Sequence, residues 1–151
     1  MAKKITKLLN PRLDSNFKAI FTQPTEESRI ALKSFLTAAI GRKVMHVNVI
    51  ENEPSKEFDA QRNIRYDINC TFDDGESAQI ELQGFDREYD YGKRAEYYVS
   101  RLVSSTLEVG DDWSEVPKAY QISVLNFKYD KDKKEAIHHY TMTDIDRKSV
   151  G

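Results

Sequence analysis

Two carboxylates, Asp67 and Glu81, close the most regular pattern in this sequence. From Ile64 to Phe72 the even positions are apolar (Ile64, Tyr66, Ile68, Cys70, Phe72) and the odd ones polar (Arg65, Asp67, Asn69, Thr71). From Ser77 to Gln83 the pattern repeats, with Ala78, Ile80 and Leu82 set against Ser77, Gln79, Glu81 and Gln83. Asp73-Asp74-Gly75-Glu76 lies between the two runs. Period-two alternation around a glycine turn predicts a β-hairpin. A two-residue loop at Asp74-Gly75 would oppose Phe72 to Ser77 and every apolar side chain to a polar one. A three-residue loop, Asp73-Asp74-Gly75, pairs Phe72 with Glu76, Cys70 with Ala78 and Ile68 with Ile80. That register sets Asp67 opposite Glu81, with Gln83 next along the same face. It suits a type I turn followed by a left-handed glycine.

Like charges directly opposite each other on a sheet repel. The pair is tolerated if solvent screens it, if one acid is protonated, or if a cation sits between the two. A hard divalent ion with oxygen ligands meets the third condition. A solvated polar face, with Arg65 partly neutralising both acids, accounts for the same spacing.

The hairpin needs neighbours to hold it. A helix is predicted from Asp14, with Phe17, Ile20 and Phe21 on one face and Leu13 before its start. Pro24 ends it. Thr25 caps a second helix with Glu26 and Glu27 in its first turn, a buried stripe of Leu32, Phe35, Leu36 and Ala39, and Gly41 at its C-terminus. Val44–Ile50 is read as a strand and Glu51–Asp59 as a loop around Pro54. A long helix is predicted from about Tyr89 to Val109, ended by Gly110, with Gly92 an unusual residue for its first turn. Ala119–Phe127 is read as a strand, and Glu135–Thr143 as a last strand paired with it across Asp130–Lys134. The order α, α, β, hairpin, α, β, β gives an α/β fold: a mixed β-sheet with a central antiparallel hairpin flanked by helices.

The chain has 151 residues, which suits a single domain over 1–151. Lys+Arg is 23 and Asp+Glu 25, a net charge of −2, which argues against a strongly basic nucleic-acid coat protein. No apolar run reaches the ~18 residues of a membrane span, and the basic start MAKKITKLLNPRLD lacks a signal-peptide core. The single cysteine, Cys70, excludes an internal disulfide and a cysteine-only zinc site. A cytoplasmic setting is the expectation.

Asp67, thirteen residues, then Glu81-Leu82-Gln83 resembles the PD-(D/E)xK nuclease motif, with glutamine in place of lysine. LNPRLDSNFKAIF, ESRIALKSFLTAAIG, RYDINCTFDDGESAQIELQ and RAEYYVSRLVSSTLEVGDDW, in that order, resemble the Rpn family of recombination-promoting nucleases and transposases over roughly residues 8–145. Asp14-x-x-Phe17-Lys18 and Tyr97-Tyr98 before Arg101 belong to the same pattern. The resemblance implies a restriction-endonuclease-like core and a role in DNA recombination or transposition. It implies Mg²⁺, with Mn²⁺ as a substitute, bound by Asp67, Glu81 and the backbone carbonyl of Leu82. It also implies that Asp14 helps to hold a second ion or a water, and that Gln83 takes the lysine's place. The implied chemistry is metal-assisted hydrolysis of DNA phosphodiester bonds. Glutamine can hydrogen-bond the attacking water but brings no charge. Members of this family run longer, so the resemblance implies a C-terminal part that this chain either lacks by nature or continues into.

Arg94, Tyr98 and Arg101 recur at i, i+4 and i+7, and Arg87 precedes the helix. They read either as DNA phosphate contacts or as surface partners of Glu96 and Asp90. Tyr97 and Tyr98 read as base-stacking groups or as core. Lys3, Lys4, Lys7, Arg12 and Lys18 read as a solvated terminus rather than a DNA-tracking arm. Asp86, Glu88 and Asp90 suit a helix start better than extra metal ligands. His138 and His139 would face opposite ways on a strand, and His46 stands alone. No glycine-rich phosphate loop is present. The sequence therefore supports a metal-dependent DNA endonuclease. A nuclease-like module that holds DNA or a protein without cutting is the alternative. Formation of a homo-oligomer is left open.

Overall fold

The computed structural model describes residues 10–50, 67–73, 75–86, 90–107, 109–143 and 146. The elements are α1 (Asp14–Thr22), α2 (Glu26–Ile40), β1 (Val47–Ile50), β2 (Ile68–Phe72), β3 (Glu76–Gln83), α3 (Tyr91–Ser104), a 3-10 turn (Trp113–Glu115) and β4 (Ala119–Leu125). The expected loop Glu51–Asp59 and the start of the hairpin, Ile64 to Tyr66 with Arg65, lie outside the described residues.

The sheet runs β1-β2-β3-β4. β1 with β2 and β2 with β3 are antiparallel, and β3 with β4 is parallel. A parallel neighbour needs a crossover, and α3 lies in that connection. Alternation decides the layers. Ile68, Cys70, Phe72, Ala78 and Ile80 face α1 and α2 and form the core with Phe17, Leu32 and Leu36. Burying a side chain such as Leu32 or Leu36 contributes about 1.5–3 kcal/mol. The rings of Phe17, Phe21 and Phe35 meet edge-on and tilted at 5.0–6.3 Å and tie α1 to α2. The opposite face carries Asn69, Ser77, Gln79, Glu81 and Gln83, all buried, and α3 lies over it. The fold is thus the expected α/β arrangement, a mixed sheet between helices, consistent with a PD-(D/E)XK core.

The caps act as read. Thr25 Oγ1 accepts from the Ser28 N–H at 3.2 Å. Gly41 ends α2 at φ +81°, where a side chain would be strained. Asp14, however, stands in the first turn of α1, and Leu13 is the residue at the cap position.

The hairpin register is the one selected by alternation: Phe72↔Glu76, Cys70↔Ala78 and Ile68↔Ile80, with Gly75 at φ +81°. The turn itself departs from type I, because Asp73 also has a positive φ, +38°. Its carboxylate accounts for this. Asp73 Oδ1 accepts from the N–H groups of Met45 and His46, each at 3.0 Å, and Oδ2 lies 3.3 Å from Arg42 Nη1. The turn is bent to fasten the entry of β1, and Arg42 also pairs with Glu76. The His46 N–H is the main group holding the Asp73 carboxyl below its usual range. Partial loss of solvent opposes it, and the Met45 N–H and Arg42 add to it. A depressed carboxylate stabilises the fold above the unfolded-state pKa, and the effect is lost as pH falls through the folded-state pKa. Asp73→Asn should therefore be less stable than the parent at pH 7, and the gap should close below about pH 4. Urea titrations at both pH values test this, and a gap independent of pH would contradict it.

Two predicted elements are corrected. α3 ends at Ser104 rather than near Val109, because Ser104, Ser105 and Thr106 turn their hydroxyls back onto the carbonyls of Arg101, Leu102 and Val103. Glu135–Thr143 forms no strand; only an isolated bridge occurs, at Thr143. Its Ile137, Tyr140 and Met142 are exposed, so no buried face rewards pairing. Its residues bond elsewhere: His139 Nε2 lies 2.7 Å from the Ala39 carbonyl, and His138 Nε2 lies 2.8 Å from the Glu135 carbonyl. β4 pairs instead with β3.

Candidate metal and phosphodiester site

Asp67 stands one residue before β2, where the chain bends. The last backbone pair of the ladder is Ile68↔Ile80, so Asp67 faces Glu81 one step further on. No backbone pair forms there. Instead Asp67 Oδ2 accepts from the Leu82 N–H at 2.6 Å, so a side chain closes the end of the ladder. Ser77 N–H and the Gln83 carbonyl bond toward β4, to Lys118 and Asn126. Backbone polar groups alternate sides along a strand, so both those of Leu82 turn toward β2 and Asp67.

Glu81 is only 6% exposed. Its Oε1 pairs with Arg94 Nη2. The Tyr91 hydroxyl lies 3.3 Å from Glu81 Oε2 and 2.9 Å from Ser123 Oγ, between two acceptors. Burial pushes the Glu81 carboxyl up; the Arg94 charge opposes this, and the nearby Asp67 charge adds to it. Burial likewise pushes the Tyr91 phenol up, so it stays a protonated donor.

The repulsion expected between Asp67 and Glu81 is met by two cations from separate helices. Arg94 of α3 serves Glu81. Lys18 of α1 serves Asp67, with Nζ 3.2 Å from Oδ1. Lys18 Nζ is also 3.3 Å from Asp14 Oδ2, one helical turn earlier. Burial works against the Lys18 charge, but its bonds and charge contacts with Asp67 and Asp14 outweigh this and raise its pKa. Asp14 thus reaches Asp67 through Lys18. Among the described residues no group of three or more His, Cys, Asp or Glu side chains stands ready as a metal cage. The donor chemistry nonetheless fits a hard divalent ion. Two carboxylates and a backbone carbonyl supply oxygens, and the carboxylates already draw positive charge to themselves.

Gln83 is buried, and its Nε2 donates to the Phe85 carbonyl at 2.7 Å. Arg87 lies outside the described residues, as do Lys3, Lys4, Lys7 and Glu88. Arg94 stacks its guanidinium 5.0 Å from the centre of the Tyr98 ring and bonds the Tyr98 hydroxyl at 3.1 Å. Arg101 lies two turns along the same helix, partly buried. Tyr97 is partly exposed and 6.5 Å from Tyr98. Asp90 caps α3, its Oδ1 accepting from the N–H groups of Gly92 and Lys93.

Sequence reasoning missed the bridging position of Lys18, the contacts of Tyr91 and Ser123 around Glu81, and the Arg94–Glu81 pair. The i, i+4 spacing of Asp14 and Lys18 was the available signal for the first. It also missed a row of carboxamides. Asn69, Gln79 and Gln121 are aligned across β2, β3 and β4, two residues along β3 from Glu81. Asn69 Oδ1, both amide atoms of Gln79 and Gln121 Oε1 have no partner among the described residues. Such buried groups call for water or a bound polar group.

A family model described as PD-(D/E)XK nuclease family transposase matches residues 11–150. No curated protein and no solved structure matches the chain.

Proposed function

The chain belongs to the PD-(D/E)XK nuclease family transposases, and on that basis we propose that it is a metal-dependent DNA endonuclease acting in recombination or transposition. The observation that carries the reading is the meeting of Asp67 and Glu81 at the end of the hairpin ladder, each bonded to a cation from a different helix. Asp67, Glu81 and the Leu82 carbonyl would hold Mg²⁺, or Mn²⁺ in its place. The ion supplies polarisation of the phosphate, a more acidic bound water and relief of the developing charge. The chain's own residues do the rest. Leu82 N–H fixes the Asp67 carboxylate, and Tyr91 steadies Glu81. Asp14 sets Lys18 against Asp67. Arg94, once Glu81 is shared with an ion, would turn toward a phosphate oxygen, and Arg101, two turns along the same helix, would extend the contact.

Gln83 favours a second reading, because it brings no charge and one of its amide N–H groups bonds the Phe85 carbonyl. On that reading the domain binds DNA without cutting it. Supercoiled plasmid separates the two. The nuclease nicks it with Mg²⁺ or Mn²⁺ and stops with chelator. Gel retardation with no nicking in either metal would favour the binding module.

A further inference from the structure

We propose that Lys18, on α1, takes the part of the missing motif lysine: its ammonium holds the attacking water and neutralises the phosphate during hydrolysis. The inference rests on the nuclease reading and names the cation in its site. Three observations carry it. Gln83 brings no charge and is tied to the Phe85 carbonyl, so it is turned to building the exit of β3. Lys18 Nζ stands 3.2 Å from Asp67 Oδ1, at the carboxylate the site is built around. α1 holds it there firmly, since the adjoining Phe17 is buried in the core and Asp14 braces the ammonium from the preceding turn.

With Asp67 shared with a divalent ion, Lys18 would keep donors to spare for a phosphate and a water. In the step itself the water oxygen forms a bond to phosphorus and its proton passes to solvent water. The bond from phosphorus to the leaving sugar oxygen breaks with its electron pair on oxygen, and that oxygen takes a proton from solvent. Lys18 stays an ammonium throughout and bonds the water and a non-bridging phosphate oxygen. Arg94 is the other cation at the site, and it pairs with Glu81.

The test compares parent, Lys18→Ala, Lys18→Gln and the double variant Lys18→Ala with Gln83→Lys. Two readouts are taken: plasmid nicking and Mn²⁺ affinity by equilibrium titration. Lys18→Ala and Lys18→Gln should each lose about a hundredfold in nicking, as when one group stabilising transition-state charge is removed. Both should bind Mn²⁺ at least as tightly as the parent, because a competitor for Asp67 is gone. The double variant should regain at least a tenfold share of the lost rate. Three results would overturn the inference. One is single variants that nick within threefold of the parent. Another is single variants that lose Mn²⁺ binding together with nicking, which would make Lys18 a part of the metal site's framework. The last is a double variant no faster than Lys18→Ala. A parent that nicks plasmid with neither Mg²⁺ nor Mn²⁺ would remove the nuclease reading, and this inference with it.

Discussion

Asp67→Ala and Glu81→Ala are each expected to lower metal-dependent nicking by two to three orders of magnitude. Each removes a carboxylate that would bind the ion. A metal ion contributes several kcal/mol of charge stabilisation at a reacting phosphate, and each ~1.4 kcal/mol is tenfold in rate. The two losses have different side effects. Without Asp67 the Leu82 N–H and the Lys18 ammonium lose their partner at the end of β2. Without Glu81 a partly buried Arg94 guanidinium loses its carboxylate partner. Far-UV circular dichroism and a urea titration of each variant distinguish loss of the site from loss of the fold. A folded variant of either kind that nicks at the parental rate would remove that residue from the site.

The second large effect is on stability. An ion that binds only the folded chain, at about 100 times its dissociation constant, adds roughly 2.7 kcal/mol. For a chain of this size that is a rise in Tm of roughly 5–10 °C. Asp67→Asn should rise far less, having lost a charged ligand. Without metal, repulsion alone would make the Asn variant the more stable of the two. The structure reverses that sign. Asp67 is paired with Lys18 and with the Leu82 N–H, so the variant should be less stable in chelator by about 1 kcal/mol, a charge-assisted bond weakened to a neutral one near the surface. Thermal melts of both proteins, with chelator and with Mn²⁺, give the four values. If both proteins rise equally with metal, Asp67 is an ordinary bonded aspartate.

The hairpin was legible because a period-two pattern leaves only one register that buries every apolar side chain against another. Ile68↔Ile80 and Cys70↔Ala78 followed from it, and with them the approach of Asp67 to Glu81. The helix caps at Thr25 and Gly41 were legible because each satisfies a local backbone demand. What alternation could not convey is contact between distant segments. Asp73 looked like a turn residue, yet its carboxylate reaches Met45 and His46, so the turn bends at Asp73 as well as Gly75. Glu135–Thr143 reads as a strand paired across the charged turn Asp130–Lys134, but pairing depends on a face to bury, and its apolar residues are exposed. The helix run through Thr106 and Leu107 carried the right apolar spacing and was stopped by hydroxyls that compete for its last carbonyls. At the site, the acids were read and their cations were not. Lys18 and Arg94 come from helices on opposite sides of the sheet, and no spacing within one segment reveals that they converge.

On the proposed reading Asp67 and Glu81 form one cation site, taken in this structure by Lys18 and Arg94. Crystals soaked in Mn²⁺ and measured at the manganese absorption edge test it most directly. The expected result is an anomalous peak between the two carboxylates, at about 2.0–2.6 Å from an oxygen of each, with Lys18 and Arg94 moved off Asp67 and Glu81. No peak there, with Lys18 still on Asp67 and Arg94 still on Glu81, would show that the two carboxylates are not a metal site.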